Sequence, residues 1–137
     1  MSEILTHAPK TLPSDAMLIA AAKIMADDAI GDVIVTDPSS SAVIGIITDR
    51  DIVIRAISKG MDPLSTTIEA SFSPTTAVVA PHDLVQEASF LMRDADVRRL
   101  PIVEEGRAVG IVSLGDLAAA TEQGTVLASM NEAPPDH

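Results

Sequence analysis

Two short stretches of this chain set a hydroxyl and a carboxylate three residues apart in matching surroundings. One is Gly45-Ile46-Ile47-Thr48-Asp49-Arg50-Asp51-Ile52 and the other is Gly110-Ile111-Val112-Ser113-Leu114-Gly115-Asp116-Leu117. A carboxylate accepts several hydrogen bonds, so Asp51 or Asp116 can hold both hydroxyls of a ribose, while the Thr48 or Ser113 hydroxyl can donate to a phosphate or sugar oxygen. The same spacing is that of a helix capping box, in which the carboxylate reaches back to the hydroxyl residue. Spacing alone leaves both readings open. Doubling of the pattern favours a ligand, because many other residues would cap equally well.

Other chemistry is thinner. Arg98-Arg99, ahead of Leu100-Pro101, offers a fork of donors for a phosphate; the competing reading is a solvated pair balancing Asp94 and Asp96. Arg50 carries the same two readings. His7, His82 and His137 share no ligand spacing and there is no cysteine, so no metal site, disulfide or thiol nucleophile is expected. No Ser-His-Asp set and no Gly-rich phosphate loop of the strand-GxxxxGK type is present. Asp27-Asp28 and Glu104-Glu105 read as solvated faces, and Met17, Met25 and Met92 as core filler. No catalytic residues are assigned, and the chain is not expected to be an enzyme.

The elements that must position these groups also repeat. Leu12-Pro13-Ser14-Asp15 parallels Ala80-Pro81-His82-Asp83, and Ala21 to Met25 parallels Ala88 to Met92. Asp32-Val33-Ile34-Val35 parallels Arg99-Leu100-Pro101-Ile102. Each copy reads strand, helix, strand, strand, helix. In the first, Ser14 or Asp15 caps a helix to about Ala29, Val33–Thr36 and Ala42–Ile47 are strands, and Asp49–Ser58 is helical with Ile52, Val53, Ala56 and Ile57 on one face. In the second, Thr76–Ala80 is a short strand and Asp83 caps a helix. Leu100–Val103 and Ala108–Ser113 then form a hairpin, Leu114–Thr121 is a helix, and Gly124 ends it. Residues 1–63 form the first repeat with an N-terminal segment and 64–123 the second. Residues 124–137 are a tail expected to be mobile or used for pairing. Two units with open apolar faces need to be packed together, an α/β (α+β) arrangement of helices on sheets.

Composition bounds the function. At 137 residues with 47% hydrophobic residues, one compact domain or two half-domains can form. A net charge of −11 argues against nucleic acid or an anionic membrane as partner. The absence of Trp and Tyr argues against stacking of bases on aromatics. Met1-Ser2-Glu3 carries no basic n-region and no apolar h-region, so no signal peptide is expected, and the apolar run Ala16–Ala26 is too short to span a bilayer. A cytoplasmic location is expected.

The doubled Gly-x-x-Thr/Ser-x-x-Asp, with Arg99-Leu100-Pro101-Ile102-Val103 before its second copy, resembles a tandem pair of CBS (cystathionine β-synthase) domains, a Bateman module, from about Ile4 to Ala128. The stretch Thr48 to Arg55 is similar to short stand-alone CBS-pair proteins of bacteria. The resemblance implies two β-α-β-β-α repeats packed about a pseudo-twofold axis, a homodimer formed through the helices, and clefts between repeats that bind an adenine nucleotide (AMP, ADP or ATP) or S-adenosylmethionine as a regulatory ligand. No cofactor is required. It assigns Asp51 and Asp116 to ribose, Thr48 and Ser113 to phosphate or ribose, Ile34 and Pro101 to the adenine walls, and Arg98 and Arg99 to the neighbourhood of the phosphates.

The first copy departs from the second: Asp32 stands where the second has Arg99, and a carboxylate beside a phosphate is repulsive. The two clefts are therefore expected to be unequal. The function expected is a regulatory module that signals to an unknown protein partner in trans, the alternative being a ligand-free interaction dimer.

Overall fold

A computed structural model describes residues 9–75, 77–118 and 124–126. The first of two compact units is Pro9–Thr75; the second is formed, among the described residues, by those from 77 onward. Residues 64–75, which the repeat pattern assigns to the second copy, therefore belong to the first unit.

In the first unit, β1 (Thr11–Pro13) runs parallel to β2 (Asp32–Thr36), which pairs antiparallel with β3 (Val43–Thr48), and β3 pairs with the two-residue β4 (Ser73–Pro74). Helix α1 (Leu18–Asp28) connects β1 to β2. After β3, α2 (Asp49–Asp51) widens into a π-type turn over Ile52–Ala56 and tightens into a 3-10 turn over Ile57–Lys59. Alternation along β2 and β3 sends Val33, Val35 and Ile47 to one face. There they meet Leu18, Ala21 and Met25 of α1, together with Ile52, Ala56 and Ile68. Of the four residues expected on one face of the helical stretch, only Ile52 and Ala56 are buried; Val53 and Ile57 are half exposed. The π-type turn advances the chain by more than 3.6 residues per turn, so ordinary helical spacing misplaces Ile57, which follows it.

In the second unit, α3 (Val85–Ala95) precedes the hairpin of β5 (Arg99–Glu104) and β6 (Arg107–Ser113), and α4 (Leu114–Ala118) comes after it. The strand expected over Thr76–Ala80 is reduced to one parallel bridge between Val79 and Ile102; Thr76 lies outside the described residues. Val79, Val85, Ala88, Met92, Leu100, Ile102, Val112 and Leu117 form the core. Val126 belongs to it too, so residues 124–126, read as the start of a tail, are packed. The expected continuation of α4 to Thr121 and the tail from 127 lie outside the described residues.

Neither α1 nor α3 starts at its expected cap. Their N-caps are Met17 and Leu84, and neither Ser14, Asp15 nor Asp83 takes that role. The first helical N–H groups are satisfied by distant backbone instead. Leu18 N donates to Thr66 O (2.8 Å) beside a Met17–Thr67 bridge, and Val85 N donates to Gly124 O (2.7 Å) beside a Leu84–Thr125 bridge. Asp83 closes the preceding turn, its carboxylate accepting from Ala80 N (2.8 Å).

Register sharpens the repeat. Leu12 pairs with Val35 and Val79 with Ile102, so Leu12 corresponds to Val79, one residue earlier than the sequence parallel with Ala80. Gly45 faces Val35 as Gly110 faces Ile102, and each hairpin has its irregularity one step further on. At Gly45 a Cβ would lie 2.4 Å from Ser73 O and 2.6 Å from the Phe72 ring, so only glycine lets β4 approach. The longer loop of the first hairpin is organised by Asp37, whose carboxylate accepts from Ser39 N (2.8 Å) and Ser40 N (3.0 Å). These backbone donors, that of Ser40 foremost, hold its pKa below the ordinary value.

Candidate functional site

Both motifs lie where a strand gives way to a helix. Thr48 ends β3 opposite Asp32, the first residue of β2, and Ser113 ends β6 opposite Arg99, the first residue of β5. The next residue is anchored across the strand pair in each case: Asp49 N donates to Gly31 O (3.0 Å) and Leu114 N to Arg98 O (2.8 Å).

Each motif closes on itself. Asp51 N donates to Thr48 Oγ1 (3.0 Å) and Thr48 N to Asp51 Oδ2 (3.0 Å). In the second unit Asp116 N donates to Ser113 Oγ (3.1 Å) and Ser113 N to Asp116 Oδ2 (3.0 Å). The capping box is thus present in both copies. It does not exhaust the groups. Each hydroxyl is used here as an acceptor and still has its own O–H to give, and a carboxylate has more acceptor positions than one backbone N–H fills. Asp51 and Asp116 are buried, at 8% and 5% exposure, so a ligand would meet only the edge of each carboxylate.

Further groups stand around Asp51. Ser73 Oγ lies 3.2 Å from both Asp51 carboxylate oxygens, and Arg55 Nε lies 3.7 Å from Oδ1. Ser73 comes from β4, 22 residues along the chain, and no local pattern points to it. Arg55, one helical turn after Asp51, is a residue that the sequence reading missed, although its i,i+4 spacing was a signal for it. Arg50 is exposed beside Asp49, whose Oδ1 accepts from Arg50 N (2.8 Å). Asp32 and Asp49 make this strand end acidic. At the second strand end Arg98 and Arg99 are both exposed, and Asp116 is the motif's carboxylate.

Ile34 and Pro101 hold equivalent places. Ile34 pairs with Ile46 and Pro101 with Ile111, two residues along from Asp32 and Arg99 and thus on the same strand face as they are. Both are buried, on the sheet face opposite the core residues Val33, Val35, Leu100 and Ile102. In each unit, then, the structure joins a hydroxyl, a carboxylate and an apolar strand position at one strand end, and in the second unit it adds two arginines. Among the described residues, no group of three or more His, Cys, Asp or Glu is placed to hold a metal, and no helix is long and apolar enough to cross a membrane.

The two units repeat one plan, a helix and a strand hairpin with a Thr/Ser-x-x-Asp box at the strand end. The family model described as "CBS domain" matches residues 1–57 and 71–122. The chain belongs to the CBS domain family. It is 32% identical over 118 residues to the CBS domain-containing protein YhcV of Bacillus subtilis, covering 86% of this chain and 82% of that one. Two further curated relatives are matched over only about half of their length. Among solved structures, the CBS domain protein PAE2072 from Pyrobaculum aerophilum, complexed with AMP, superposes with a TM-score of 0.68 at 25% identity, covering 82% of this chain and 85% of that one. A hexameric CBS-CP12 protein from bloom-forming cyanobacteria gives a TM-score of 0.72 at 27% identity, covering 85% and 67%.

Proposed function

We propose that this chain is a regulatory module that binds an adenine nucleotide or related adenosyl ligand at its strand-end motifs and signals, as a homodimer, to a protein partner in trans. The observation that carries this reading is the second strand end. Asp116 is shaped to accept from ribose hydroxyls, the Ser113 hydroxyl has a proton to donate, Pro101 offers an apolar strand position, and Arg98 and Arg99 supply forked donors for phosphate. Occupation of an equivalent fold by AMP in PAE2072 supports the choice of ligand class. The first strand end, with Asp32 in place of an arginine, suits the uncharged part of such a ligand better than its phosphates. In this reading the ligand is bound as a signal and released unchanged.

The rival reading is a ligand-free interaction dimer whose boxes serve only as caps. It draws on the internal closure of both boxes. A thermal-shift screen against AMP, ADP, ATP, guanine nucleotides, S-adenosylmethionine and NAD separates the two. A ligand that binds only the folded state stabilises it by about 2.7 kcal/mol at a hundredfold excess over Kd. A selective shift by an adenosyl ligand is expected; no shift with any of them would favour the interaction dimer.

A further inference from the structure

The first strand end holds a further group fit to meet a ligand. Ile34 of β2 pairs with Ile46 of β3, and Ile46 pairs with Ser73 of β4. Residues directly opposite each other in a sheet share a face, and alternation puts Thr48 on the face of Ile46. Ile34, Ile46, Thr48 and Ser73 therefore lie together on the sheet face opposite the core. A side chain in place of Gly45 would block this approach of β4. The Ser73 hydroxyl comes to lie 3.2 Å from both carboxylate oxygens of Asp51.

Acceptors for a sugar are few at this strand end. Asp51 is 8% exposed, Thr48 N already donates to its Oδ2, and Arg55 Nε lies 3.7 Å from its Oδ1. The edge that is left suits one sugar hydroxyl, whereas a vicinal diol brings two donors. Ser73 is half-buried, and its one proton goes to Asp51, which leaves the lone pairs of Oγ to accept. Donation to a carboxylate polarises a hydroxyl and makes its oxygen a better acceptor. We propose that Ser73 is a ligand-contacting, specificity-determining residue of the first strand end, one ribose hydroxyl donating to the edge of Asp51 and the other to Ser73 Oγ. The class so selected is a nucleoside with an intact cis-diol, against its 2′-deoxy and 3′-deoxy analogues. The proposal rests on the adenosyl-binding reading and adds to it a residue and a sugar chemistry.

Amide NMR separates the two strand ends, because the N–H groups of Thr48 and Asp51 report the first and those of Ser113 and Asp116 the second. The native chain is titrated with adenosine, 2′-deoxyadenosine and 3′-deoxyadenosine, and the titrations are repeated on Ser73→Ala and Ser73→Thr. At the Thr48 and Asp51 amides, adenosine is expected to bind the native chain about tenfold more tightly than either deoxy analogue. Ser73→Ala is expected to weaken adenosine about tenfold, yet to leave the analogue lacking the hydroxyl that Ser73 accepts from within about twofold of its native affinity. Ser73→Thr keeps the hydroxyl and is expected to bind as the native chain does. Deoxy analogues that bind the native chain as tightly as adenosine would overturn the proposal whatever the variants do, and so would unchanged adenosine affinity in Ser73→Ala. Equal losses of all three ligands in Ser73→Ala would show that Ser73 acts only by holding Asp51, and would overturn the contact. Perturbation confined to Ser113 and Asp116 would overturn the proposal and leave the adenosyl-binding reading standing. Silence at both strand ends would overturn that reading as well.

Discussion

Asp51 and Asp116 occupy the same place in their units, and substitutions there probe the cap and the ligand site separately. Asp51 takes the Thr48 N–H, the Ser73 hydroxyl and the edge of Arg55. Its removal strands two donors in a poorly hydrated place, so Asp51→Ala is expected to cost about 1–3 kcal/mol, measured as a lowered urea midpoint at unchanged slope. A loss below about 0.5 kcal/mol, the range of ordinary surface changes, would show that Ser73 and Thr48 find water instead. Asp116→Asn is the complementary probe. The Asn side chain keeps a carbonyl oxygen that can accept from the Ser113 N–H, so the melting temperature is expected to fall little. The amide cannot accept from ribose as a carboxylate does, and calorimetry should show adenine-nucleotide affinity reduced about tenfold or more, some 1.4 kcal/mol. Unchanged affinity would remove Asp116 from the ligand site. Both boxes were legible because their partners lie three residues apart; Ser73 was not, because a two-residue strand carries no period.

At the scale of elements, what the sequence hides is backbone satisfied at long range. Ser14, Asp15 and Asp83 are good capping residues, yet the helices begin later because residues 66–67 and 124–125 run alongside the segments before them. A local rule cannot see a carbonyl tens of residues away. The helix ends are equally uninformative. α1 closes at Ala29 and α3 at Asp96, each left-handed with φ 56° and ψ 45°, and Gly31, the expected punctuation, lies two residues beyond the first of these ends. Alanine in that conformation is strained, whereas glycine there is not. Ala29→Gly is therefore expected to raise stability by about 0.5–1 kcal/mol, the relieved strain exceeding the extra freedom of the unfolded chain. Thermal or urea unfolding checks this, and a destabilised variant would mean that the Ala29 methyl contributes more than its backbone costs.

At the scale of the whole molecule, the duplication was plain in the sequence, while the boundary between units was not. Lys59 to Ser65, with Gly60 and Pro63, has the composition of a linker, but Ile68 is fully buried in the first core and β4 completes the first sheet. The duplication also hides an asymmetry of charge. A nucleotide approaching this chain would do so against a net charge of −11. Arg98 and Arg99 form the one adjacent pair of cations in the sequence, at one strand end, where the other copy has Gly31 and Asp32. The two motifs should therefore bind unequally, with one strong nucleotide site per chain. The combined Arg98→Ala and Arg99→Ala variant separates phosphate recognition from nucleoside recognition. Its affinity for AMP should fall about tenfold or more, as expected for loss of charge-assisted hydrogen bonds, while its affinity for adenosine should stay within about twofold. The salt dependence of AMP binding should flatten in parallel, because the charges that respond to screening are gone. Equal losses for AMP and adenosine in calorimetry would mean that the arginines shape the site rather than read the phosphate. Two equivalent strong sites per chain would mean that Asp32 leaves the first strand end as receptive as the second.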